Sequence, residues 1–188
     1  MNPKTVHIAN LSIKIFNSSV SLTTSIKREL EPLWSTQNIT QPDKDTRWCN
    51  MLFEFLFCYL YITDRKVLFE LGHQKRQEFM NFLVSILQHT TVESVFNSWD
   101  ENRKSNFREL FSDLYSESQK RYIKGKELLN AENPATGNGI FSILGREIAD
   151  INNSSLNPEI LCRTVELITH EYVQLALEEH VMNYKSLC

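Results

Sequence analysis

Residues 48–62 read Trp48-Cys49-Asn50-Met51-Leu52-Phe53-Glu54-Phe55-Leu56-Phe57-Cys58-Tyr59-Leu60-Tyr61-Ile62, and only Asn50 and Glu54 among them are strongly polar. An apolar run of this kind belongs either to a buried strand or to a buried helix. Buried strands usually take about 4–8 residues, roughly half of this length. The polar residues in and around the run decide the matter. Arg47, Asn50, Glu54, Tyr61 and Arg65 follow one another at three, four, seven and four positions, which draws one narrow line down a helix and no stripe on a strand. The spacing predicts a central apolar helix near residues 46–63, with Asp43 and Asp45 as N-caps and Thr63-Asp64 at its end.

A membrane span is the rival reading. Fifteen residues at about 1.5 Å each cover roughly 22 Å, short of the ~30 Å hydrocarbon core. A carboxylate near the midpoint, Glu54, adds several kcal/mol to the cost of insertion. The run is therefore expected in a protein core and not in a bilayer.

The chain has 188 residues, enough for one domain with a substantial core. Only five Gly and five Pro occur, which favours long helices over a turn-rich β fold. A net charge of −3 argues against a general polyanion binder. The four cysteines, Cys49, Cys58, Cys162 and Cys188, show no C-x-x-C spacing. Cys49 and Cys58 are too far apart on one helix for a disulfide. With no secretory leader pattern, a reducing, cytoplasmic setting is expected, with Cys49, Cys58 and Cys162 as buried thiols. No acidic residue precedes Glu29, but the single Arg in that stretch does not fit a transit peptide.

Outward from the central run, Ile8, Leu11, Ile15 and Phe16 predict a helix over residues 4–17. Leu22, Ile26, Leu30 and Leu33 predict a second, bent or ended by Pro32. Ser35–Lys44 reads as a loop. Val67, Leu68, Phe69 and Leu71 form an apolar turn closed by Gly72. Phe79, Phe82, Leu83, Ile86 and Leu87 define an amphipathic helix. Thr90-x-x-Glu93 reads as a capping box that starts another, carrying Val92, Val95, Phe96 and Trp99. Further helices are expected around Phe107–Tyr122 and Ile140–Ile151, separated by the break Asn130–Gly139. Asn157-Pro158 opens a last helix of some twenty-five residues through Met182. The expectation is an all-α single domain, residues 1–188, built as a bundle of seven to nine helices.

Motifs for chemistry are sparse. Gly137, Gly139 and Gly145 do not make a dinucleotide fingerprint, and Gly125-Lys126 lacks the rest of a P-loop. H-E-x-x-H does not occur among the five histidines, and E-x-x-H occurs once, at Glu70–His73, where a di-iron bundle needs two, so no metal site and no cofactor are expected. Glu166 and His170, at i and i+4, read as a solvated surface pair. Arg103, Lys104, Arg108, Lys120, Arg121, Lys124 and Lys126 make a basic stretch with Tyr115 and Tyr122 interleaved. A face balanced by an acidic last helix explains it better than nucleic-acid binding.

Two carboxylates interrupt apolar stripes. Glu179 lies near a helix end and can reach water. Glu54 cannot do so easily, and a buried carboxylate has to be paired, hydrogen-bonded or neutral. The nearest candidate partners on its own helix are Arg47, Asn50, Tyr61 and Arg65. Those five residues form the candidate ligand-binding set should Glu54 face a cavity. An ion pair in the core and a narrow solvent stripe are the structural alternatives. The wide apolar arcs point first to a non-enzymatic helical binding or protein–protein interaction protein, homo-oligomeric. The alternative is a small-molecule-binding protein or enzyme with a cavity beside Glu54.

Overall fold

The structure is a computed structural model that describes residues 2–125, 138–153 and 158–188. Gly137, Lys126, Asn157 and most of the Asn130–Gly139 break lie outside the described residues. Every regular element among the described residues is an α-helix, and none is long and apolar enough to cross a membrane. The helices are α1 (Pro3–Thr36), α2 (Gln41–Val95), α3 (Glu101–Tyr122), α4 (Ile140–Ile151), α5 (Pro158–Leu175) and α6 (Leu177–Ser186). That makes six among the described residues, where seven to nine were expected.

The central run is fully helical and mostly buried, but the element containing it is far longer than residues 46–63. Thr40, not Asp43 or Asp45, caps it: its side chain accepts from the Asp43 backbone N–H, and its hydroxyl donates back to the Asp43 carboxylate. The chain does not end the helix at Thr63-Asp64. Thr63 turns its hydroxyl onto the Tyr59 carbonyl at 2.7 Å, a bond that satisfies it inside a helix. The Thr90 capping box is not used either, because helix runs unbroken through it to Val95.

The second surprise is at Gly72, where φ 75° and ψ 176° interrupt α2. Phe53 and Phe96 lie 43 positions apart, roughly 65 Å along a straight helix at about 1.5 Å per residue. Their ring centroids are 6.4 Å apart. The two arms of α2, residues 41–71 and 73–95, therefore fold back on each other through one residue. Gly72 closes the first arm as expected, but no loop follows it. Asp64 and Arg76 brace the reversal with two hydrogen bonds, Nε to Oδ1 at 2.7 Å and a terminal nitrogen to Oδ2 at 2.8 Å.

The two helices expected over residues 4–17 and 22–33 are one. The buried positions Ile8, Leu11, Ile15, Ser19, Leu22, Ile26, Leu30 and Trp34 follow a continuous three-and-four rhythm, with Ser19 carrying the stripe across the polar gap. Ser19 and Thr23 return their hydroxyls to carbonyls four residues back, at 2.9 and 2.7 Å. Both hydroxyls are thereby satisfied within α1 although the side chains are buried. Pro32 stays inside α1, whose end is anchored by the fully buried Trp34.

α3, α4 and α6 also pack on α2, and α5 fills between α1 and α4. Gly145 permits the α4–α5 approach, since a Cβ there would come within 2.9 Å of Val165 and 3.2 Å of Leu161. The expected twenty-five-residue last helix is broken at Ala176, which adopts φ 49° and ψ 46°. α6 then turns onto α1 and α2, where Tyr184 meets Phe79 edge to face at 4.7 Å. Cys162 is exposed, contrary to the expectation of a buried thiol, whereas Cys58 is fully buried.

Candidate functional site

Glu54 lies midway along the first arm of α2 with its side chain 14% exposed. Its partners are on other helices. Arg121 of α3 donates a terminal guanidinium N–H to Glu54 Oε1. Tyr122 donates its hydroxyl to Glu54 Oε2 at 3.0 Å. Behind Arg121, Glu147 of α4 approaches its Nε at 3.6 Å. Three helices thus meet at one carboxylate. Arg121 is 34% exposed, so the pair is at the edge of the core and not deep within it.

The electrostatics follow from that placement. Burial works against the Arg121 charge, but Glu54 and then Glu147 outweigh it and hold the guanidinium above its ordinary range. Burial raises the Glu147 carboxyl, with Arg121 opposing and Glu54 adding. Cys58, one turn on from Glu54, is driven well up by burial and then by the Glu54 charge. A thiol held protonated in this way is a poor nucleophile. The Tyr122 hydroxyl is also raised well above its usual range, first by burial, then by Cys58 and Glu54. It stays a neutral donor. These groups hold helices together and present no activated nucleophile.

The five residues singled out from the sequence do not converge on one point. Tyr61 is buried and joins the Glu54 group indirectly, its ring 5.8 Å from that of Tyr122. Arg65 is exposed, with its guanidinium carbon 5.1 Å from the Tyr61 ring centroid, a cation–π contact. Arg47 donates to the backbone carbonyl of Asn152 at 3.1 Å. Asn50 is exposed.

Asn152 is the residue that the sequence hid. It opens a loop-like stretch, yet it is fully buried. Its amide donates to the Ile148 carbonyl at 2.7 Å and lies 3.3 Å from the Met51 sulfur. Its side-chain oxygen accepts from Trp34 Nε1 at 3.2 Å. One amide therefore joins α1, α2 and α4. The only sequence signal was its position just after the apolar period of α4 ends.

Most of the basic stretch is engaged. Lys104 contacts Glu93 at 2.8 Å, Arg108 contacts Glu93 at 3.3 Å, and Lys120 contacts Glu117 at 2.6 Å. No group of three or more His, Cys, Asp or Glu among the described residues has the arrangement of a metal site. Glu166 and His170 are both exposed, as expected.

The surface feature that stands out is at the tip of the α2 reversal. Phe69, expected to join an apolar turn, is 85% exposed. It borders a groove of about 430 Å³ shared with Lys66, Glu70, Glu178, Val181 and Met182. Met182 is 50% exposed. Lys66 pairs with Glu178, and Lys185 pairs with Glu70 at 2.9 Å, each linking the first arm of α2 to α6. Comparison with protein-family models, curated proteins and solved structures found no match.

Proposed function

We propose that this chain is a non-enzymatic helical interaction protein that acts as a homo-oligomer. The observation that carries the reading is Phe69, a large aromatic 85% exposed beside a groove lined in part by Val181 and Met182. Single exposed hydrophobics are ordinary, but an exposed aromatic and a half-exposed Met bordering one groove among charged residues is the composition of a protein-contact surface. The condition of Glu54 supports the same reading. Both of its carboxylate oxygens already have partners within the fold, which leaves less support for the alternative of a ligand cavity there. The engaged state of the basic stretch weighs against nucleic acid as the partner. Four free thiols suit the reducing, cytoplasmic setting that goes with this reading.

Sedimentation equilibrium of the whole chain, from micromolar to several hundred micromolar, tests it. A mass above that of one chain is expected. A strict monomer throughout that range would overturn the homo-oligomer.

A further inference from the structure

We propose that the Phe69 face is a two-fold interface between copies of this chain, with the Phe69 ring of each copy entering the groove beside Phe69 on the other. The proposal rests on the interaction-protein reading above and adds to it the surface, the partner and the symmetry.

The knob and the hole lie on one patch, since Phe69 itself borders the groove that Val181 and Met182 help to line. That proximity determines the form of assembly. A knob that fits a hole elsewhere on the molecule builds rings or open chains, whereas a knob beside its own hole can close after two copies. A groove of about 430 Å³ is within the size range that encloses small ligands, ample for one phenyl ring.

The rim charges are self-complementary. Along the first arm of α2 the order is Lys66 then Glu70, and along α6 it is Glu178 then Lys185, with Lys66 beside Glu178 and Glu70 beside Lys185. The two ion pairs form a four-cornered rim in which each charge has unlike neighbours, with a net charge of zero. A two-fold axis along the groove sets Lys66 of one copy opposite Glu178 of the second, and Glu70 opposite Lys185. An axis across the groove sets Lys66 opposite Glu70. Either axis brings unlike charges together, the arrangement that steers and registers a contact. A strongly charged partner of one sign would gain on two corners and lose on the other two.

The test is sedimentation equilibrium on the full chain and on two variants, Phe69→Asp and Leu110→Asp. Phe69 is 85% exposed and Leu110 half-exposed, so neither change opens the core, and circular dichroism melting verifies the fold of each variant. Leu110 lies on α3, away from the patch, and serves as the control. Expected is a dimer for the parent chain and for Leu110→Asp, with Phe69→Asp weakened by at least about thirty-fold, the scale of a central aromatic contact. A parent dimer that survives Phe69→Asp removes this face while leaving homo-oligomerisation intact. A parent mass that keeps growing with concentration overturns the two-fold closure. A parent that stays monomeric overturns the reading beneath both.

Discussion

Replacing Glu54 by Gln keeps the Tyr122 hydroxyl bonded and removes the charge that faces Arg121. Water already reaches a third of Arg121, so the loss is smaller than for a sealed pair. A destabilisation of about 1–2 kcal/mol is expected. Combining Glu54→Gln with Arg121→Met should recover part of it, with a coupling of about 1 kcal/mol. Urea titration of the single and double variants measures both, and a coupling of zero would mean that the pair contributes nothing to stability. The need for a partner at Glu54 was readable from its apolar neighbours. The partner's identity was not, because Arg121 and Tyr122 are 67 and 68 positions away. Helical spacing ranks only candidates on the same helix. Asn152 was hidden for a related reason: its side chain meets Trp34 and Met51 from 118 and 101 positions away.

The elements were legible wherever a period was long and its breakers were strong. α4 matched its expected span because apolar positions repeat throughout it. α1 reads as two helices from sequence because its apolar positions pause at Asn17-Ser18-Ser19, although Ser19 continues the buried stripe. The break at Ala176 had no residue to announce it. Alanine is the strongest helix former and carries a left-handed backbone only at some cost, so the surroundings impose that turn. At Gly72 residue and geometry agree, because the backbone there belongs to a region open almost only to glycine. A Cβ at that position would touch nothing within 4 Å, so substitution acts through the backbone alone. Gly72→Ala is expected to cost about 1–3 kcal/mol, read as a lower urea midpoint. An unchanged midpoint would mean that the reversal tolerates an L side chain.

Across the whole molecule, α1 and α6 meet through a small basic group. His7 donates from Nε2 to the His180 carbonyl at 2.8 Å, and Lys14 donates its ammonium to His180 Nε2 at 2.9 Å. The imidazole of His180 therefore carries its hydrogen on Nδ1. Burial lowers its proton affinity, the Lys14 and His7 charges lower it further, and Glu179 opposes them. A histidine that is harder to protonate when folded binds fewer protons than in the unfolded chain. Its contribution to stability is thus present above its ordinary titration range, near about pH 6.5, and is lost as pH falls through that range. Melting temperature is expected to fall more between pH 7.5 and 5.5 in the parent chain than in His180→Gln. Equal falls would place the acid sensitivity elsewhere. The all-α class was legible from composition and periodicity. This long-range contact was not, because nothing local marks His180 as the neighbour of Lys14, 166 positions away.

The one-residue reversal at Gly72 also bears on how quickly the chain reaches this arrangement. The Phe53–Phe96 contact spans 43 positions, and closing a flexible loop of that length carries a conformational entropy cost that must be met before the contact forms. With both arms already helical, the search reduces to the rotation of two rods about one glycine, and Asp64 and Arg76 can lock it across only twelve positions. Local contacts of this type accelerate folding. Stopped-flow refolding of Gly72→Ala should accordingly show most of its lost stability as a slower folding arm of the chevron, with the unfolding arm little changed.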